Sequence, residues 1–131
     1  MVKSFIFFFM SLFMGLYYPS SGKKHIFFSS GIKLTIEEIR SRYGGISYKY
    51  SIKNLRADTL AAESYLPEFK VNDKIISFDS ATLPLPPGKS VSYSPPETFY
   101  SKDYQKLHYF LKVRIKNPVY KEIIAEGFSY Y

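Results

Sequence analysis

Two stretches decide the fold: residues 107–116, LHYFLKVRIK, and residues 46–53, ISYKYSIK. In the first, Leu107, Tyr109, Leu111, Val113 and Ile115 alternate with His108, Phe110, Lys112, Arg114 and Lys116. In the second, Ile46, Tyr48, Tyr50 and Ile52 alternate with Ser47, Lys49, Ser51 and Lys53. Successive side chains of a strand point to opposite faces, so each run lines one face with apolar groups; a helix would scatter them around its circumference. Both stretches therefore predict strands half buried in a common core.

Weaker strand signals surround these two. Residues 32–39 carry Leu34 and Ile36 in alternation, although residues 37–40 also permit one helical turn, and Tyr43, Gly44 and Gly45 then break the chain. Residues 65–71 put Tyr65, Phe69 and Val71 on one side, with Pro67 pointing to an edge or a bulge. Asn72 and Asp73 turn that strand into residues 74–78, a predicted hairpin. Pro84, Pro86, Pro87 and Gly88 forbid regular structure before residues 90–94 resume alternation with Val91 and Tyr93 inward. Asn117 and Pro118 open a last turn, and residues 123–130 close the chain with Ile123, Ala125 and Gly127 on one side. Short strands at even spacing, with no convincing helix, predict an all-β antiparallel sandwich of about seven strands.

Composition agrees with that reading. A length of 131 residues allows one compact domain, and 46% apolar with 22% charged residues is a folding composition. Thirteen Tyr and twelve Phe, with no Trp, favour strands. The absence of cysteine excludes disulfides, thiolate metal centres and a cysteine nucleophile.

The beginning of the chain reads as an export signal. Lys3 supplies a positive start, residues 5–18 are almost wholly apolar, and the stretch from Pro19 through Lys24 ends the run short of the roughly 20 residues a membrane-spanning helix needs. Ser20 and Gly22 suit the minus-three and minus-one positions of a cleavage site. The expected organisation is a signal peptide over residues 1–22 and a single β-sandwich domain over residues 23–131, secreted or periplasmic. Any membrane attachment would come through an uncleaved signal segment. His25 is expected in the frayed start of the mature chain.

The order of features resembles the bacterial immunoglobulin-like modules of the CARDB and fibronectin type III kind. The resemblance is carried by an alternating strand ending in Asn (Tyr48, Tyr50, Ile52, Asn54), by the segment Leu85, Pro86, Pro87, Gly88 and Ser90, and by Tyr109, Leu111 and Val113 of the penultimate strand. In such modules the first strand leads to one in the opposite sheet, and the proline-glycine segment introduces a strand returning beside the first. The resemblance implies an immunoglobulin-like fold and a role in adhesion, display or assembly outside the cytoplasm, with no catalytic residues.

The residues themselves offer little for catalysis. A nucleophile needs a base within hydrogen-bond reach, and His108 lies on the outward face of its strand. Glu37 and Glu38 are adjacent and point opposite ways, while Asp73 and Asp79 lie in or beside turns. No cofactor or metal is expected, and export argues against nucleic acid as a partner. The surface that stands out is the outward face around residues 108–116, where Phe110, Lys112, Arg114 and Lys116 form a basic stripe beginning at an aromatic ring, supplemented by loop tyrosines such as Tyr104. Such a stripe can grip nucleic acid, which export disfavours, or an acidic polysaccharide, and the expected partner is a protein or polysaccharide at the cell envelope. It can also be neutralised across strands, with Glu122 opposite Arg114 and Glu126 opposite Lys112. The terminal Phe128, Tyr130 and Tyr131 can pair with a partner's sheet edge or simply complete their own sheet.

Overall fold

The apolar sides of the two deciding stretches meet across one interior. Ile46, Tyr48, Tyr50 and Ile52 from one, and Leu107, Tyr109, Leu111, Val113 and Ile115 from the other, are all buried, and the Tyr48 and Tyr109 rings lie 5.8 Å apart. The computed structural model describes residues 21–78, 83–116 and 119–131. These form nine strands: β1 (Ser21–Ser29), β2 (Ile32–Arg40), β3 (Gly45–Asn54), β4 (Tyr65–Val71), β5 (Lys74–Phe78), β6 (Ser90–Tyr93), β7 (Phe99–Tyr100), β8 (Lys106–Ile115) and β9 (Lys121–Tyr130).

One antiparallel sheet runs β1-β2-β3-β6, with β7 also pairing β3, and the other runs β5-β4-β8-β9. The chain crosses between them from β3 to β4, returns from β5 to β6, and crosses again from β7 to β8. All-β architecture with two antiparallel sheets around a shared core is thus as expected. The strand count exceeds the expected seven through β1 and the two-residue β7. Residues 37–40 are strand, not helix, because Glu37 to Arg40 stay in register with β3 down to the pair Arg40 and Ile46.

Turn chemistry fixes both tight hairpins. Ser30 and Gly31 between β1 and β2, and Asn72 and Asp73 between β4 and β5, all have positive φ, the pattern of a two-residue turn whose twist matches its strands. The expected hairpin over residues 65–78 is therefore present. Pro67 does not make β4 an edge strand, since β4 lies between β5 and β8; its pairing with β5 begins only at Glu68, and the irregularity falls between Phe69 and Lys70. No β5 carbonyl therefore stands opposite the proline's missing N–H.

Asn54 explains why β3 ends where it does. Fully buried, its side-chain amide donates to the Asp58 and Leu85 carbonyls at 2.8 and 2.9 Å, and its side-chain oxygen accepts the Arg56 N–H at 2.9 Å. The amide thus ties the loop after β3 to the proline-rich segment before β6, where Leu60 bridges Leu85.

The expected signal segment falls outside the described residues except for Ser21 and Gly22, as do Asp79 and the turn at Asn117 and Pro118. β1 begins at Ser21 and pairs with β2 along its length, so His25, expected in a frayed end, is instead set in a strand opposite Ile36. The reason is visible in the chain: Ser30 and Gly31 supply a hairpin turn, and Phe27 is in phase to pack on the core.

Candidate functional site

The outer face of the β5-β4-β8-β9 sheet gathers most of the residues singled out from sequence. Phe110, Lys112 and Arg114 project from β8 in one row, half buried, and exposed Lys116 follows the strand end. The rest of the face is unusually apolar for a surface, with Ile75, Ile124, Phe128 and Tyr130 each about half exposed. His108 stacks on Phe128 at 4.9 Å between ring centroids, and the Lys106 ammonium lies over the same ring, 5.0 Å from its centroid, in a cation-π contact. One aromatic end and one basic end therefore share a single sheet face.

Charge pairing on this face differs from the sequence expectation at one residue, Glu126. Glu122 does stand opposite Arg114, but Glu126 stands opposite Phe110, and Ile124 opposite Lys112. Glu126 instead meets His108, with Oε2 3.0 Å from Nε2, so His108 is a paired and stacked residue and not a merely solvated one. Lys112 turns the other way, to Glu68 of β4 at 4.0 Å, a carboxylate that Lys70 also approaches at 3.3 Å. Five cations, Lys70, Lys106, Lys112, Arg114 and Lys116, share the face and its rim with three carboxylates, Glu68, Glu122 and Glu126. Tyr104 is not part of it: its ring meets Phe99 of the other sheet edge-on at 5.6 Å. Tyr131, expected as a contact aromatic, donates its hydroxyl to the Phe99 carbonyl at 2.8 Å and helps seal the same end.

A second constellation, centred on Glu38, was not anticipated. Glu38 follows Leu34 and Ile36 in phase along β2 and is therefore driven inward, to 1% exposure. The Tyr48 hydroxyl donates to Ser129 Oγ at 2.7 Å, and Ser129 donates to Glu38 Oε1 at 2.6 Å. His25 Nε2 stands 3.6 Å from the same carboxylate oxygen, Arg40 reaches Oε2 at 3.4 Å, and the Arg40 guanidinium also donates to the Tyr130 carbonyl. Burial raises the Tyr48 phenol well above its ordinary value, with the Ser129 hydrogen bond opposing the shift and the Glu38 charge adding to it. Tyr109, whose ring lies 5.4 Å from that of His25, is pushed up to about 12, first by burial and then by Glu38. Within the cluster the Ser129 hydroxyl is sealed from solvent and committed on both sides, while His25 Nε2 is buried at 3.6 Å from Glu38 without a hydrogen bond. The sequence signal for both is phase, Glu38 after Leu34 and Ile36, Ser129 after Ile123, Ala125 and Gly127; nothing local signals that these two positions meet.

The chain matches no known family model and none of the curated proteins. One solved structure, described as a crystal structure of a protein from Archaeoglobus fulgidus, is similar over 86% of this chain and 98% of that chain, at 7% sequence identity and a TM-score of 0.34. At that level neither fold nor function transfers. Among the described residues, no group of three or more His, Asp or Glu side chains stands together as a metal site.

Proposed function

We propose that this protein is an exported, non-catalytic binding or structural module that works through surface contacts at the cell envelope or outside it. The observation that carries this reading is the contrast between interior and exterior. The interior is filled by interdigitating apolar side chains and one buried polar cluster around Glu38, whereas the outer face of the β5-β4-β8-β9 sheet leaves Ile75, Ile124, Phe128 and Tyr130 half exposed beside a row of cations. The immunoglobulin-like reading is supported by β3 ending in the structural Asn54, by the crossing to β4, and by β6 returning beside β3 after the proline-glycine segment. Export rests on the apolar residues 5–18 and the positive start at Lys3.

A carbohydrate or other acidic ligand is the second reading, favoured by the excess of cations on the same face. Changing Lys112 and Arg114 together to Ser tests it. Retention on an acidic polysaccharide matrix should be salt-sensitive and should fall in the double variant, with circular dichroism showing that the variant keeps the fold. Equal retention of wild type and variant rejects the acidic ligand and leaves the general contact role. Export is tested separately: the protein should be recovered outside the cytoplasm only when residues 1–22 are present, and cytoplasmic recovery of the full chain overturns it.

A further inference from the structure

We propose that the free edge of β9 pairs with β9 of a second copy, joining two four-stranded sheets into one continuous sheet across a two-fold axis. A sheet edge is a row of unpaired N–H and C=O groups, and proteins that stay monomeric blunt such edges with short strands, bulges, lysines or prolines. Three of the four edges here are blunted. β1 carries Lys23 and Lys24 and a register shift before Lys24, β5 is five residues long with an irregular pairing, and β6 and β7 have four and two residues. β9 has ten residues, pairs β8 without a register shift, and between Glu122 and Tyr130 contains neither lysine nor proline. It has β8 on one side and, among the described residues, no strand on the other.

The strand's own residues select a second copy as the occupant and set the register. Arg40 already holds the Tyr130 carbonyl, so residues 122–128 remain for pairing. A two-fold axis at Ala125 pairs that segment with itself in antiparallel fashion. Glu126 of one copy then stands opposite Ile124 of the other, so no like charges face each other, and Glu122 stands opposite Phe128. Phe128 is the ring over which Lys106 sits at 5.0 Å, so the arriving Glu122 carboxylate meets a cation of the other copy twice, once on each side of the axis. Exposed Ile124 and Phe128 gain cover on the same face. The pairing is independent of which ligand the basic face takes.

Because the chain has no cysteine, introduced thiols report on this contact alone. In the full chain, the double variant Ile124→Cys/Glu126→Cys should form a disulfide-linked dimer under mild oxidation, since each thiol faces its partner across the axis. Adding Lys106→Glu should slow the linking several-fold. Phe28→Cys, more exposed than Ile124 but on the blunted β1 edge, should remain monomeric. No linked dimer from the β9 variant, or equal linking at Phe28, overturns the proposal. Should the double substitution disturb folding, sedimentation of the wild type against Ile124→Lys decides: a mass twice the 15.2 kDa of the chain, returning to 15.2 kDa in the variant, supports the pairing, and identical masses reject it.

Discussion

The middle of the core and its Glu38 end were placed inside by the same alternation, yet they are held by different physics. In the middle, Tyr50 is stacked between Phe69 at 5.1 Å and Tyr93 at 4.9 Å, within the same apolar core as Leu111 and Ile52, and area and shape dominate. At the other end, Glu38, Tyr48 and Ser129 form a chain of hydrogen bonds flanked by His25, Arg40 and Tyr109. There the sheets are held by groups that must each find a particular partner, because an unpaired polar group in a low-dielectric interior is costly. The first region is held chiefly by packing, with a polar tie from the Tyr50 hydroxyl to Ser77 Oγ at 2.8 Å; the second is held by a chain of polar groups that tolerates few changes of chemistry.

Truncation in the middle should have the largest effect. Leu111→Ala or Tyr50→Ala removes fully buried volume and should cost roughly 2–5 kcal/mol, read as a fall in the chemical denaturation midpoint. An unchanged midpoint for both would mean that these side chains are not in the core. At the polar end Glu38→Ala should cost less, about 1–3 kcal/mol, because it strips Ser129 and Arg40 of an acceptor while Arg40 retains some access to water. Glu38→Gln keeps an oxygen for Ser129 and loses only the charge, so it should recover a good part of that cost. Equal losses for Ala and Gln would assign the effect to the charge and not to the hydrogen bond.

Gly127 sharpens the comparison, because it is where packing and polarity meet. A Cβ built there lies 2.3 Å from the Tyr109 hydroxyl and 2.6 Å from its Cζ, so the tyrosine ring fills the space above the glycine. Gly127→Ala should therefore destabilise by about 1–3 kcal/mol through overpacking. Tyr109→Phe removes the nearest atom but not the ring carbon behind it, so the double variant should regain part of the loss. Additive losses in that double-mutant cycle would mean that the two residues do not compete for the same space.

Much of this was readable along the chain, and the failures share a cause. The β3 and β8 alternations, the Asn72 and Asp73 turn, and the inward phase of Ile123 and Ala125 are local patterns, and local patterns survived. β1 was lost because Lys23, Lys24 and His25 read as the flank of an apolar leader, although the Ser30 and Gly31 turn marked a hairpin. Glu126 faces Phe110 and not Lys112: with Glu122 opposite Arg114, a residue four places further along β9 falls four places back along β8, so the two expected pairs exclude each other in one antiparallel register. Glu38 was in phase with Leu34 and Ile36, but its partner Ser129 lies 91 residues away and becomes a neighbour only when β9 stacks over β2. Register and long-range polar partners belong to the assembled sheets and not to any window of sequence.

The smallest expected effect is confined to alkaline solution. Tyr109 has an ordinary value of 10.0 and is pushed up to about 12 in the folded protein, and Tyr48 is raised as well. An acid whose pKa rises on folding is bound more tightly by its proton in the native state. Its contribution to stability is complete below pH 10 and is lost as pH climbs from about 10 to about 12, where unfolded tyrosine ionises and the native group resists. Denaturation midpoints should therefore fall over that window more steeply in the wild type than in Tyr109→Phe, and least steeply in the Tyr48→Phe/Tyr109→Phe pair. Lysines deprotonate in the same range but are common to all three proteins, so the difference between the curves isolates the phenols. Superimposable slopes would show that the Glu38 end stays wet enough to ionise freely, and its contrast with the dry middle would then rest on hydrogen bonding alone.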